Sequence, residues 1–230
     1  MNNETTIFSK ILVVGSAGVG KTALVNRICY GIYQNDQVTT LGVDQCSKRV
    51  KRDGKLFHLV FWDIAGDERF ASMCKLYVRG ANICLVVADS LAEGFAVEKI
   101  KNWKALVEKY SREVVNGPMV YFLVVSKRDL RDNEASKDEL EYLKQNLKFD
   151  AVIEVSALAE HNIGRLLESM VHEINVKQPT GIDQDVDTVD ICSDKDMKGT
   201  FLSSLGTKWE DDRMRSRKNS NGDKPIKNRE

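Results

Sequence analysis

Short apolar runs and amphipathic stretches alternate along this chain. Phe8 to Val14, Ile83-Cys84-Leu85-Val86-Val87 and Met119 to Val125 are largely apolar and rich in β-branched residues, as strands buried on both faces are. Ala151 to Val155 reads the same way. Gln45 to Lys51 and Leu56 to Trp62 flank Asp53-Gly54, a dipeptide that predicts a tight hairpin because both residues tolerate positive φ. Helical spacing fills the intervals. Lys21 to Tyr30 reads as a helix. Phe95 to Tyr110 carries Val97, Ile100, Trp103 or Lys104, and Val107 on one face, and Ala135 to Leu147 carries Leu140, Leu143 and Leu147. Ile163 to about Val176 is a closing helix. Residues 31–44 are polar and irregular, and 63–80 combine a loop with a short helix. The alternation predicts a three-layer α/β fold around a mostly parallel sheet, with binding groups at the carboxyl ends of its strands.

Composition narrows this picture. The chain has 230 residues, with 34 Lys+Arg against 34 Asp+Glu, so general nucleic-acid binding is not expected. Hydrophobic residues make up 42%, enough for a sizeable core. Cys29, Cys46, Cys74, Cys84 and Cys192 are odd in number and widely spaced, which argues against a zinc site or a disulfide framework and for a reducing compartment. Met1-Asn2-Asn3-Glu4 resembles neither a signal peptide nor a myristoylation site, and no apolar run reaches membrane-spanning length. A soluble, cytoplasmic protein is expected. Three segments follow: an N-terminal extension at 1–7, one domain at 8–178, and a disordered tail at 179–230. The tail is acidic from Asp183 to Asp196 and basic from Arg213 onward. Phe201, Leu202, Leu205 and Trp209 form an apolar island within it.

Candidate chemistry is concentrated at the strand ends. Gly15-Ser16-Ala17-Gly18-Val19-Gly20-Lys21-Thr22 joins the first strand to the first helix and has the spacing of a P-loop. Glycines let backbone N–H groups approach phosphate oxygens, and the helix N-terminus adds its positive dipole end. The stretch from Ser16 to Ala23 is therefore assigned to the phosphates. Lys21 neutralises β- and γ-phosphate charge, and the Thr22 hydroxyl is a Mg²⁺ ligand. After the third strand, Asp63 is placed to hold Mg²⁺ and Gly66 to offer its amide to a γ-phosphate. Thr40, in the irregular segment, can ligate Mg²⁺ and sense the γ-phosphate. After the fifth strand, Ser126-Lys127-Arg128-Asp129 supplies a carboxylate that accepts from guanine N1–H and the 2-amino group, which adenine lacks, and a lysine stem to cover the base. Ser156-Ala157-Leu158, after the sixth strand, offers backbone N–H groups to guanine O6.

Together these motifs resemble a small GTPase of the Ras superfamily over roughly 8–178, and within it the Rab family. Trp62-Asp63-Ile64-Ala65-Gly66-Asp67-Glu68-Arg69-Phe70 is close to WDTAGQERF, Tyr77-Val78-Arg79-Gly80-Ala81 to YYRGA, and Leu41-Gly42-Val43-Asp44 to the IGVDF run. The resemblance implies a P-loop NTPase fold with a six-stranded, mostly parallel sheet, GTP or GDP with Mg²⁺ as cofactors, and switch loops at about 32–45 and 64–79. Exchange factor, activating protein and effectors would read those loops, in vesicle traffic. It places Tyr33 against the nucleotide and groups Lys21, Thr40, Gly66 and Asp67 as the hydrolytic set.

Departures from the pattern carry their own expectations. Asp67 stands where the family has a water-orienting glutamine; a carboxylate accepts but does not donate, so hydrolysis is expected to be slow. Ser126 replaces an asparagine that braces the base loop. Gln45 replaces a phenylalanine that joins Trp62 and Tyr77 in an apolar effector patch. No cysteine lies near Glu230, so no prenyl anchor is expected, while the basic block 213–229 could touch anionic lipid weakly. The competing readings are a GTP-binding scaffold that recruits partners without turnover, and a P-loop kinase. A kinase needs neither a guanine reader like Asp129 nor a sensor like Thr40.

Overall fold

The computed structural model describes residues 5–35, 39–67, 74–89, 97–113, 119–131, 135 and 137–177. The expected tail, its apolar island and both charged blocks lie outside the described residues, as do Glu68, Arg69 and Phe70. The elements are β1 (Thr6–Val14), α1 (Lys21–Tyr30), β2 (Val43–Arg52), β3 (Lys55–Ile64), α2 (Cys74–Val78), β4 (Ala81–Asp89), α3 (Val97–Glu113), β5 (Val120–Ser126), α4 (Lys137–Leu147), β6 (Ala151–Glu154) and α5 (Ile163–Lys177). They form one six-stranded sheet in the order β2-β3-β1-β4-β5-β6. The β2–β3 pair is antiparallel, and the remaining pairs are parallel.

Alternation along each strand sends successive side chains to opposite faces, so an apolar run fills two cores at once. Ile11, Val13, Phe57, Phe61, Leu85 and Val124 pack with residues of α1 and α5 on one face. Leu12, Val14, Cys84, Val86 and Leu123 pack with residues of α2, α3 and α4 on the other. Of the faces expected of α3 and α4, Ile100, Trp103, Val107, Leu143 and Leu147 are buried, while Val97 and Leu140 are half-buried. Lys104 is also buried, with its ammonium 2.6 Å from Glu108 and over the Tyr121 ring. β2 is an edge strand, and its charged Lys48, Arg49, Lys51 and Arg52 suit an edge that must not pair further. Asp53 and Gly54 close the hairpin with φ of 50° and 73°.

Strand order places the site. β3 and β2 lie on one side of β1, and β4, β5 and β6 on the other. The crevice at such a reversal, beyond the carboxyl ends of the parallel strands, is where open α/β sheets bind ligands. Among the described residues no helix is long and apolar enough to cross a membrane.

Candidate functional site

β1 ends in the middle of the sheet and delivers the glycine-rich turn into that crevice. Gly15 is obligatory there, because a Cβ would lie 2.2 Å from the Val87 carbonyl oxygen of β4 and φ is +144°. The turn then feeds straight into α1, whose first residue is Lys21. Lys21 is buried, and its ammonium donates to the Gly15 carbonyl at 2.9 Å and the Ser16 carbonyl at 2.8 Å. Burial lowers its pKa to about 8, against the opposing pull of Asp63. A partly desolvated cation folded back over a turn of backbone amides is a strong receptor for an anion.

Three oxygen-bearing side chains meet beside it. The Thr22 hydroxyl donates to Asp63 Oδ2 and lies 2.8 Å from the Thr40 hydroxyl, across separations of 41 and 18 residues. Asp63 is 1% exposed, and its other oxygen, Oδ1, is buried and has no hydrogen-bond partner among the described residues. Burial pushes the Asp63 pKa up to about 6, although the Thr22 hydrogen bond and Lys21 oppose the shift. A buried, unsatisfied carboxylate oxygen next to two hydroxyls is the donor set a hard divalent cation takes, so the residues present fit Mg²⁺. Tyr33 is half-buried in the same segment as Thr40, but among the described residues no hydrogen bond joins it to this cluster.

Gly66 follows β3 and presses on the turn. A Cβ at this position would lie 2.4 Å from Lys21 Nζ and 2.5 Å from the Ala17 amide nitrogen. Asp67 comes next in the chain and is half-buried.

The far end of the crevice is built by β5 and β6. Ser126 is buried, and its hydroxyl lies 3.0 Å from the Ala88 carbonyl and within reach of the Val19 carbonyl. A hydroxyl has one hydrogen, so it serves these two acceptors one at a time, where an amide would serve both. It nevertheless ties the glycine-rich turn to β4. Ser126→Ala leaves both carbonyls short of a donor, and we expect a loss of about 1–3 kcal/mol in a denaturant titration. Ser126→Asn should recover most of that loss.

Beyond Ser126, Lys127 adopts φ 57° and its ammonium pairs with Asp89 at 2.7 Å. A 3₁₀ turn over Arg128–Leu130 presents Asp129, whose Oδ1 accepts the Ser156 hydroxyl. The segments expected to read the base are thus brought together, with one difference from expectation. The Ser156 amide donates to the His161 carbonyl at 3.1 Å, so within Ser156-Ala157-Leu158 the N–H groups available for a base belong to Ala157 and Leu158.

Two residues of this region escaped the sequence reading. Arg27, in the last turn of α1, donates to the Ala157 carbonyl at 2.7 Å. Glu154, 6% exposed at the end of β6, accepts the Ala135 amide at 3.1 Å and lies 3.4 Å from Arg131 and 4.0 Å from Arg128. A carboxylate ending an otherwise apolar strand, with two arginines in the segment that follows the neighbouring strand β5, was a legible signal for Glu154. A single arginine on a helix carried no such signal.

Comparison with known proteins agrees with this geometry. Residues 10–176 match the model of the Ras family. The GTP-binding protein YPT1 of Saccharomyces cerevisiae is 29% identical over 213 residues, spanning 90% of this chain and 98% of the yeast protein. The Ras-related protein RABD2a of Arabidopsis thaliana is 36% identical over 135 residues, 59% of this chain and 64% of the plant protein. The Ras-related protein RIC1 of Oryza sativa subsp. japonica is 32% identical over 174 residues, 76% of this chain and 84% of that protein. The chain belongs to the Ras family, whose GTPases bind GTP and GDP with Mg²⁺, and it is similar to the Rab and Ypt proteins within that family.

Proposed function

We propose that this chain is a Rab-like switch that binds GTP and GDP, hydrolyses GTP slowly, and works in vesicle traffic through partners that read its switch loops. The observation that carries the reading is the meeting of Thr22, Thr40 and Asp63 beside Lys21. Thr40 belongs to the segment after α1, so a group held by Thr22 and Asp63 governs the position of that segment. Thr22, Thr40 and Asp63 would hold Mg²⁺, which supplies charge neutralisation at the phosphates. Lys21 and the amides from Ser16 to Ala23 bind and orient the phosphates. Asp129 selects guanine, the Lys127 stem covers the base, and Ser126 holds the base side to the phosphate side.

Asp67 sets the rate in this reading. The attacking water must be held in line with the γ-phosphoryl group. Glutamine accepts from that water while donating towards phosphoryl oxygens. An ionised Asp67 only accepts, and adds negative charge where charge is already concentrated. The experiment is phosphate release from preloaded GTP in a single turnover, without activating protein. Asp67→Gln is expected to be faster by about tenfold, about 1.4 kcal/mol of barrier. A variant no faster than wild type refutes Asp67 as the brake.

A GTP-binding scaffold is the second reading, favoured by Asp67 together with Gln45. Gln45 faces Trp62 across the β2–β3 ladder, and the Trp62 and Tyr77 rings lie 5.2 Å apart. The Lys10 ammonium sits 4.5 Å over Trp62. An amide beside this aromatic pair suits partners with a hydrogen-bonding group at that point. The nucleotide that co-purifies separates the readings: GDP for a cycling switch, GTP for a scaffold.

A further inference from the structure

We propose that Arg27 is a positioning residue for base recognition, holding the 156–158 loop so that the Leu158 amide faces guanine O6. The proposal rests on the guanine reading above. Arg27 lies on α1, 130 residues before the loop it grips. Its Nε donates to the Ala157 carbonyl at 2.7 Å, and one terminal nitrogen lies 3.4 Å from the Leu158 carbonyl. The other terminal nitrogen donates to the Gly31 carbonyl at 2.7 Å and lies 3.6 Å from Glu160. The side chain is only 14% exposed, so water competes weakly for these bonds.

Peptide planarity turns this grip into an orientation. The Ala157 carbonyl and the Leu158 N–H belong to one planar trans unit and point in opposite directions. Anchoring the carbonyl on Arg27 therefore sends the Leu158 N–H away from α1. Ser156 links the loop to the base reader, because its hydroxyl donates to Asp129. The Leu158 N–H is thereby set on the base side of the loop, and guanine carries O6 beside the N1–H that Asp129 accepts. A helix-capping role accounts only for the Gly31 contact. It leaves both loop carbonyls unexplained, and α1 is already closed by the Gly31 amide on the Arg27 carbonyl at 3.0 Å. The guanidinium is suited to the task because its donors are fixed in one rigid plane, so gripping these carbonyls also fixes their orientation, whereas the rotatable donors of an ammonium would not.

The test compares affinities of the Mg²⁺-supplemented full chain for guanosine diphosphate, inosine diphosphate and 6-thioguanosine diphosphate. Inosine lacks the 2-amino group read by Asp129. The thio analogue keeps N1–H and the 2-amino group but replaces O6 with a poor acceptor. Wild type is expected to prefer the guanosine form over both. Arg27→Met keeps the aliphatic stem, and is expected to lower the guanosine to thioguanosine preference by about fivefold while leaving the guanosine to inosine preference within about twofold. Arg27→Gln, a polar side chain too short to grip both loop carbonyls, should act in the same direction and serves if the Met variant is poorly folded. A wild-type thio preference retained in either folded variant overturns the proposal, whatever happens to the melting temperature. A wild-type thio preference near one overturns it too, since no amide then reads O6. Loss of the inosine discrimination in wild type instead refutes the guanine reading on which the proposal rests.

Discussion

Asp129→Asn is expected to lower affinity for GDP by about hundredfold and to make xanthosine diphosphate the better ligand. Guanine presents two donors, N1–H and the 2-amino group, and a carboxylate accepts both. Bonds to a charged partner contribute about 1.5–3 kcal/mol each, so removing the charge and one acceptor costs about 3 kcal/mol, or about two decades of affinity. The structure also fixes which way the new amide would turn. Asp129 Oδ1 accepts the Ser156 hydroxyl, which in turn accepts the Ala159 amide at 2.9 Å. The one hydrogen of that hydroxyl is donated to position 129, and only an amide oxygen there keeps it paired, so the substituted side chain is expected to keep its carbonyl oxygen on Ser156 and aim its NH₂ at the base. There it meets the 2-amino group of guanine donor to donor, but the 2-oxo group of xanthine donor to acceptor. Competition of a fluorescent guanine nucleotide by GDP, xanthosine diphosphate and ADP reads the change. An unchanged GDP to xanthosine preference would show that Asp129 does not face the base, and equal wild-type affinity for ADP would remove guanine selectivity altogether.

Most of the sheet was legible because parallel strands buried on both faces leave continuous apolar runs, and because Asp53-Gly54 fixes the hairpin register chemically. The ends were less legible. β1 begins at Thr6, two residues before the apolar run, because the Leu56 amide donates to the Thr5 carbonyl at 3.0 Å and Thr6 pairs with Leu56 in register. β2 and β3 reach Arg52 and Lys55 because a two-residue turn keeps the ladder closed to its tip. Backbone pairing with a neighbour supplied these residues with partners, and their side chains gave no sign of it.

The same distinction separates the parts of the site. Lys21, Thr22, Asp63 and Asp129 were legible because their chemistry demands residue types at fixed offsets from a strand end. Ser156 lies just after β6, where it was expected, but the role of its amide was not legible, because its partner is the His161 carbonyl across a turn. Arg27 was invisible for a more general reason. It acts on backbone carbonyls, which every residue has, and so leaves no complementary residue type to notice.

Gly66→Ala is expected to slow GTP hydrolysis by about hundredfold while leaving GDP affinity within a few-fold of wild type. Gly66 needs no unusual backbone conformation; it is glycine because of what lies beside it. A methyl group at this position would stand 2.4 Å from both Lys21 Nζ and the Ser16 carbonyl carbon, and 2.5 Å from the Ala17 amide nitrogen. Lys21 is the far end of a flexible side chain, but its ammonium is tied to the Gly15 and Ser16 carbonyls and cannot retreat without giving them up. The Ser16 and Ala17 atoms are backbone of the phosphate-binding turn. The segment carrying Gly66 must therefore step back. Its amide, proposed to meet the γ-phosphate, would then sit too far away to donate, and Asp67 would move with it. Removing one preorganised donor from a charge-developing oxygen costs about two to three decades of rate. GDP lacks the γ-phosphate, so its binding does not draw on that amide. Single-turnover phosphate release and GDP dissociation, measured on the same preparation, separate the two effects. A hydrolysis rate within about threefold of wild type would mean that the Gly66 amide makes no contact with the reacting phosphate, and that the close approach in this structure is packing alone.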